Sequence, residues 1–62
     1  MTAYQQGHRD FKGYVIRYGI DEARHIMSNY EQMVNYGIQR NDKDIDVEWE
    51  HEYIRGAKDA TA

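Results

Sequence analysis

Asp42-Lys43-Asp44-Ile45-Asp46-Val47-Glu48-Trp49-Glu50-His51-Glu52-Tyr53 carries two periodicities at once, and the fold class turns on which one governs. Acids occupy every even position from Asp42 to Glu52, with Lys43, Ile45, Val47, Trp49, His51 and Tyr53 between them. Taken alone, 45–53 is a strand with an apolar face and an acidic face. The competing period is Ile45–Trp49–Tyr53–Ala57, with Ile54 beside it, at the four-residue step of a helix. Acids precede Arg55 and Lys58 along this segment, the order that a helix dipole favours. A lone strand needs a partner, and no other segment reads as one. A helix from about 46 to 60 is therefore expected. The alternative is an α+β fold in which 45–53 is a strand, paired with its own copy in a dimer.

Upstream lie two further helical segments. The first, 3–18, has the stripe Tyr4–Gly7–Phe11–Tyr14–Tyr18 with Val15, in steps of three and four. Gly13 falls off that stripe and lowers helix propensity by about 1 kcal/mol relative to Ala. The second, 21–36, has Ala23, Ile26/Met27, Tyr30 and Met33/Val34, with Asp21 and Glu22 at its start. Both end alike, at Tyr18-Gly19-Ile20 and Tyr36-Gly37-Ile38. That pattern predicts a glycine stop after each helix, with the next apolar residue folding back on the last turn. The two would form an antiparallel hairpin. Phe11 and Trp49 are the expected core aromatics.

One echo links the ends of the chain. Tyr4-x-x-Gly7-x-x-Asp10 matches Tyr53-x-x-Gly56-x-x-Asp59. On helices each motif sets Tyr and Gly on one face, one turn apart, so the first and third helices would cross closely at the glycines. The spacing is similar to that in short helical proteins of phage and mobile-element genomes and of the ribosome modulation factor type. The resemblance covers the two seven-residue motifs only. The basic character of the ribosome-binding type is missing here, and its function is not carried over.

The chain has 62 residues, no Cys and no Pro. One small domain, 1–62, is expected, since chains of about 60 residues bury only about 60% of their unfolded surface. Disulfides and Cys-based zinc sites are excluded, which leaves helix packing, self-association or a partner as the source of stability. No apolar run approaches the roughly 20 residues of a membrane span, and MTAYQQGHRD has no apolar signal core. A soluble, cytoplasmic protein with no membrane association is expected. Net charge is −3, unevenly spread: residues 1–40 hold five basic and four acidic groups, residues 41–62 three basic and seven acidic. A duplex-binding chain shows the reverse, so direct nucleic-acid binding is disfavoured and a basic protein surface is the favoured target.

Motifs for chemistry are incomplete. Asp42-x-Asp44-x-Asp46 opens like a calcium loop, but Val47 and Tyr53 replace the required Gly and Glu. Glu48-x-x-His51 has the spacing of di-iron bundles, which need a second such pair and two further Glu. His8, His25 and His51 carry no metal-ligand spacing. His25 and Ser28 share a helix face without an oxyanion hole or orienting group. The reading is no enzyme, no catalytic residues, no metal and no cofactor.

The expected function is a non-enzymatic binding module. It is an acidic inhibitor or adaptor docking on a basic surface of a larger, nucleic-acid-handling protein, as phage-encoded anti-CRISPR and anti-restriction proteins do by imitating DNA phosphates. The expected contact residues are Asp42, Asp44, Asp46, Glu48, Glu50, Glu52, Tyr30 and Tyr36, since Tyr dominates many interface hot spots. A homodimer is expected because the Tyr and Met stripes exceed what a monomer hides. The alternatives are a self-assembling helical protein, or a ribosome- or nucleic-acid-associated factor using Arg9, Lys12, Arg17 and Arg24.

Overall fold

A computed structural model of the protein describes residues 1–60. It is all-α: α1 spans Ala3–Tyr18, α2 Ile20–Gln39 and α3 Val47–Asp59. The helical period of 45–53 prevails over the alternation, for a local reason. The alternating acids belong to two structures. Asp42 accepts from the Asp44 amide at 3.0 Å in a turn, and Asp46 caps α3 by accepting from the Trp49 amide at 3.1 Å. Glu48, Glu50 and Glu52 then follow the helix.

Helix α1 begins with a reciprocal cap. The Thr2 hydroxyl accepts from the Gln5 amide at 3.1 Å, and the Gln5 side-chain oxygen accepts from the Thr2 amide at 3.0 Å. The helix ends at Gly19, whose φ of 90° is open to glycine at little cost. Gly19 alone joins the first two helices: its amide donates to the Val15 carbonyl and its carbonyl accepts from the Ala23 amide. Ile20 does not fold back on α1; it opens α2 and is partly exposed.

Gly37 corrects the second expected stop. Helix α2 runs through it to Gln39. Gly37 is buried, and a Cβ there would overlap Cδ1 of Ile45, so glycine makes room for the chain returning toward α3. The true stop is Asn41, at φ 57°. Its amide donates to the Ile38 carbonyl and the Asp42 amide to the Gly37 carbonyl, each at 3.0 Å. This is the Schellman arrangement with Asn in the left-handed position.

Phe11, Ala23, Met27, Tyr53 and Ala57 form the central core, with Val34 and Ile54 also buried. Phe11 is where the sequence places it, 2% exposed. Trp49 is not: it is 37% exposed and stacks on Tyr53 at the rim, with ring centroids 5.2 Å apart. The most extensive helix contact joins α1 to α3 rather than α1 to α2. The two Tyr-x-x-Gly-x-x-Asp motifs make it. A methyl group on Gly7 would overlap the Tyr53 carbonyl, and one on Gly56 would overlap the Tyr4 carbonyl. The Tyr4 hydroxyl donates to Asp59 and the Tyr53 hydroxyl to Asp10, both at 2.5 Å. Among the described residues, no helix is long and apolar enough to cross a membrane.

Candidate functional site

The N-cap Asp46 and the first two turns of α3 lie alongside the start of α1. The cleft between them, about 560 Å³, has Tyr4 and Trp49 as aromatic walls, with Asp46, Glu48 and Glu52 around them. Trp49 is held against Tyr53 at an interplanar angle of 17°, so it presents its ring without needing to be ordered. Arg55 closes one side. Its guanidinium lies 5.0 Å from the Tyr4 ring centroid and 2.7 Å from Glu52. This wall therefore already holds one guanidinium by ring face and carboxylate together.

The expected contact residues do not form one face. Successive Glu48, Glu50 and Glu52 are each two positions apart, about 200° around a helix, so the middle one points away from the other two. Glu48 and Glu52 meet Asp46 in the cleft. Glu50 is half-buried and accepts the Tyr30 hydroxyl at 2.6 and 2.9 Å. Tyr30 packs on the core with its ring centroid 5.3 Å from that of Tyr53. Together with Asp44 and Met33, this pair borders a smaller depression of about 300 Å³. Asp42 and Asp44 lie on the exposed loop. Tyr36 stands apart, 60% exposed, with the Arg40 guanidinium 5.4 Å from its ring centroid. Sequence reading missed Tyr4 and Trp49 as surface groups. The available signal was the position of Trp49 between Glu48 and Glu52, in the turn just before the Tyr53 that α1 covers.

Three phenols are tied to carboxylates, and all three are held above their ordinary ionisation range. For Tyr53 and Tyr30 burial is the main cause, followed by the hydrogen bonds to Asp10 and Glu50. For Tyr4 the hydrogen bond to Asp59 leads. These acids serve the fold.

The cations are distributed differently. Arg9, Lys12 and Arg17 are exposed on α1, and among the described residues no ion pair joins them to a carboxylate. Tyr4, His8, Arg9 and Lys12 border one groove of about 390 Å³, and Arg9, Tyr14 and Arg17 another of the same volume, with Asp10 beside them. His25 and Ser28 are both on the exposed side of α2. No three His, Cys, Asp or Glu side chains among the described residues are grouped so as to hold a metal ion.

Set against protein-family models, curated proteins and solved structures, the chain matches none.

Proposed function

We propose that this chain is a non-enzymatic, cytoplasmic binding module, an inhibitor or adaptor that docks a basic segment of a larger, nucleic-acid-handling protein. The observation that carries the reading is the cleft in which a pre-stacked, part-exposed Trp49 is flanked by Asp46, Glu48 and Glu52. Aromatic anchors ringed by complementary charge dominate interface energetics. Arg55, on Tyr4 and Glu52, illustrates how an incoming arginine would be held. Row-like mimicry of DNA phosphates loses support, because Glu50 serves an internal bond. Patch-to-patch docking keeps it.

The test is affinity capture from nuclease-treated bacterial lysate, with mass spectrometry naming the partner. The expected result is a stoichiometric, nuclease-resistant protein. Trp49→Ala should weaken binding at least about 30-fold, the effect of a 2 kcal/mol hot spot. Glu48→Lys with Glu52→Lys should abolish it. Affinity that survives both changes would sink the reading.

A second reading is favoured by the unpaired cations of α1. Arg9, Lys12 and Arg17 could contact nucleic-acid phosphates, as in a ribosome-associated factor. Binding to single-stranded RNA should then fall with salt at a log–log slope near −2 for three phosphates. No binding at low salt would end this reading.

A further inference from the structure

Gly13 has no packing role. Nothing lies within 4 Å of a Cβ built on it, and glycine in a helix interior is destabilising relative to alanine. It floors the groove of about 390 Å³ that Arg9, Asp10, Tyr14 and Arg17 surround. Arg9 and Arg17 stand one turn to either side of it on the same face, about 12 Å apart along the axis at roughly 1.5 Å per residue. Arg9 also borders the neighbouring groove, with Lys12 and His8. There His8 stacks on Tyr4, with ring centroids 6.3 Å apart.

Charge on this face has one sign. The exposed positions of α1 hold Arg9, Lys12 and Arg17 and no carboxylate, although the whole chain carries −3. Asp10, the one acid of the helix, is half-buried and accepts the Tyr53 hydroxyl. Among the described residues, no side-chain hydrogen bond, ion pair or cation–π contact engages the three cations. Cations that follow a phosphate backbone, beside rings on which bases stack, are what single-strand binders use. An open glycine floor adds room for close approach.

We propose that this face of α1 binds single-stranded nucleic acid. Arg9, Lys12 and Arg17 contact its phosphates, a base lies against His8, and Gly13 lets the strand reach the helix backbone between the two arginines. The proposal rests on the second reading above and gives it a ligand class and a site. The Trp49 cleft, acidic where this face is basic, takes a different partner.

The test is fluorescence anisotropy of a labelled oligouridylate of about 12 nucleotides, within the site sizes of single-strand binders. Wild-type affinity should fall with salt at a log–log slope of about −2, and Arg9→Gln with Arg17→Gln should leave about −0.7 for the one remaining cation. Gly13→Leu keeps all three cations and replaces a poor helix former with a good one, so circular dichroism should show it folded. It should nonetheless lower affinity at least about tenfold, or 1.4 kcal/mol, by filling the groove. Lys43→Gln removes one charge from the exposed loop and should leave affinity and slope unchanged. No binding at low salt would overturn both the proposal and the second reading. RNA binding that Gly13→Leu leaves intact, or that Lys43→Gln weakens as much as the arginine changes do, would overturn the proposal alone. Displacement of the RNA by polyglutamate at equal charge would also overturn it, in favour of an acidic protein partner.

Discussion

Tyr53 donates its hydroxyl to Asp10, 43 positions away in sequence, at 2.5 Å, and is itself almost fully buried. Its backbone carbonyl meanwhile rests on Gly7, one turn before Asp10 on the same helix. One residue of α3 thus reads two positions of α1. Tyr4 repeats the arrangement on Asp59 and Gly56. The fold is closed at these two points, and the first prediction tests them.

Glycine-to-alanine changes within α1 should have opposite signs. Gly7→Ala drives a methyl into the Tyr53 carbonyl, which is backbone and cannot turn aside. Overpacking of this kind costs roughly 1–3 kcal/mol or more, a large share of so small a domain's stability. Gly13 has nothing within 4 Å of a Cβ. Gly13→Ala should stabilise by about 0.5–1 kcal/mol through helix propensity alone. Urea unfolding followed by circular dichroism measures both. Equal effects would show that the α1–α3 approach is not close.

Alkali should unfold the protein before it damages it. Tyr30 and Tyr53 have folded-state ionisation pushed above the ordinary phenol value of 10.0, by burial first and then by Glu50 and Asp10. A raised phenol is kept neutral by the fold. Its stabilising effect is complete below the unfolded value and is lost as pH rises past it. Stability should therefore hold flat up to about pH 9 and fall above about pH 10. Tyr30→Phe with Tyr53→Phe should flatten that fall, at a cost near neutral pH of about 1 kcal/mol per hydrogen bond. An unchanged alkaline slope in the double variant would refute the assignment.

What the sequence made legible was the long-range pairing. Tyr4, Gly7 and Asp10 recur as Tyr53, Gly56 and Asp59, and a shared face on two helices is readable from spacing alone. Less legible was anything that depended on a neighbour from elsewhere in the chain. Tyr18-Gly19-Ile20 and Tyr36-Gly37-Ile38 are identical triplets, yet only the first ends a helix. Gly37 stays helical because Ile45, supplied from the loop beyond, packs onto it. Trp49 holds a core-facing position by period, but the start of α1 leaves one side of its ring open. The acidic alternation looked like one feature because a capped loop and a helix happen to continue each other's spacing.

Asn41 offers a check on that corrected helix end. It is the only non-glycine residue with positive φ among those described, and it closes a Schellman motif through Ile38 and Gly37. Glycine tolerates this conformation without a Cβ penalty. Asn41→Gly should thus raise stability by about 0.5–1 kcal/mol, whereas Asn41→Val should lower it by more than that. Thermal melts of the two variants are sufficient. If both destabilise equally, the helix does not end at Asn41.

The final prediction separates fold from site with two glutamates in one turn. Glu50 accepts the half-buried Tyr30 hydroxyl through both oxygens. Glu50→Ala leaves that hydroxyl without its partner and should cost about 1–3 kcal/mol of stability. Glu48 is exposed on the cleft with no such bond, and Glu48→Ala should change stability by no more than about 0.5 kcal/mol. Affinity for the captured partner should respond in the opposite order. Loss of Glu48 should weaken docking severalfold, while loss of Glu50, measured well below its melting temperature, should leave it near wild type. The paired measurement of unfolding free energy and dissociation constant on the same two proteins makes the contrast decisive. If Glu50 governs affinity and Glu48 does not, the docking surface lies on the Tyr30–Met33 side of the molecule, and the Trp49 cleft is no more than a gap between helices.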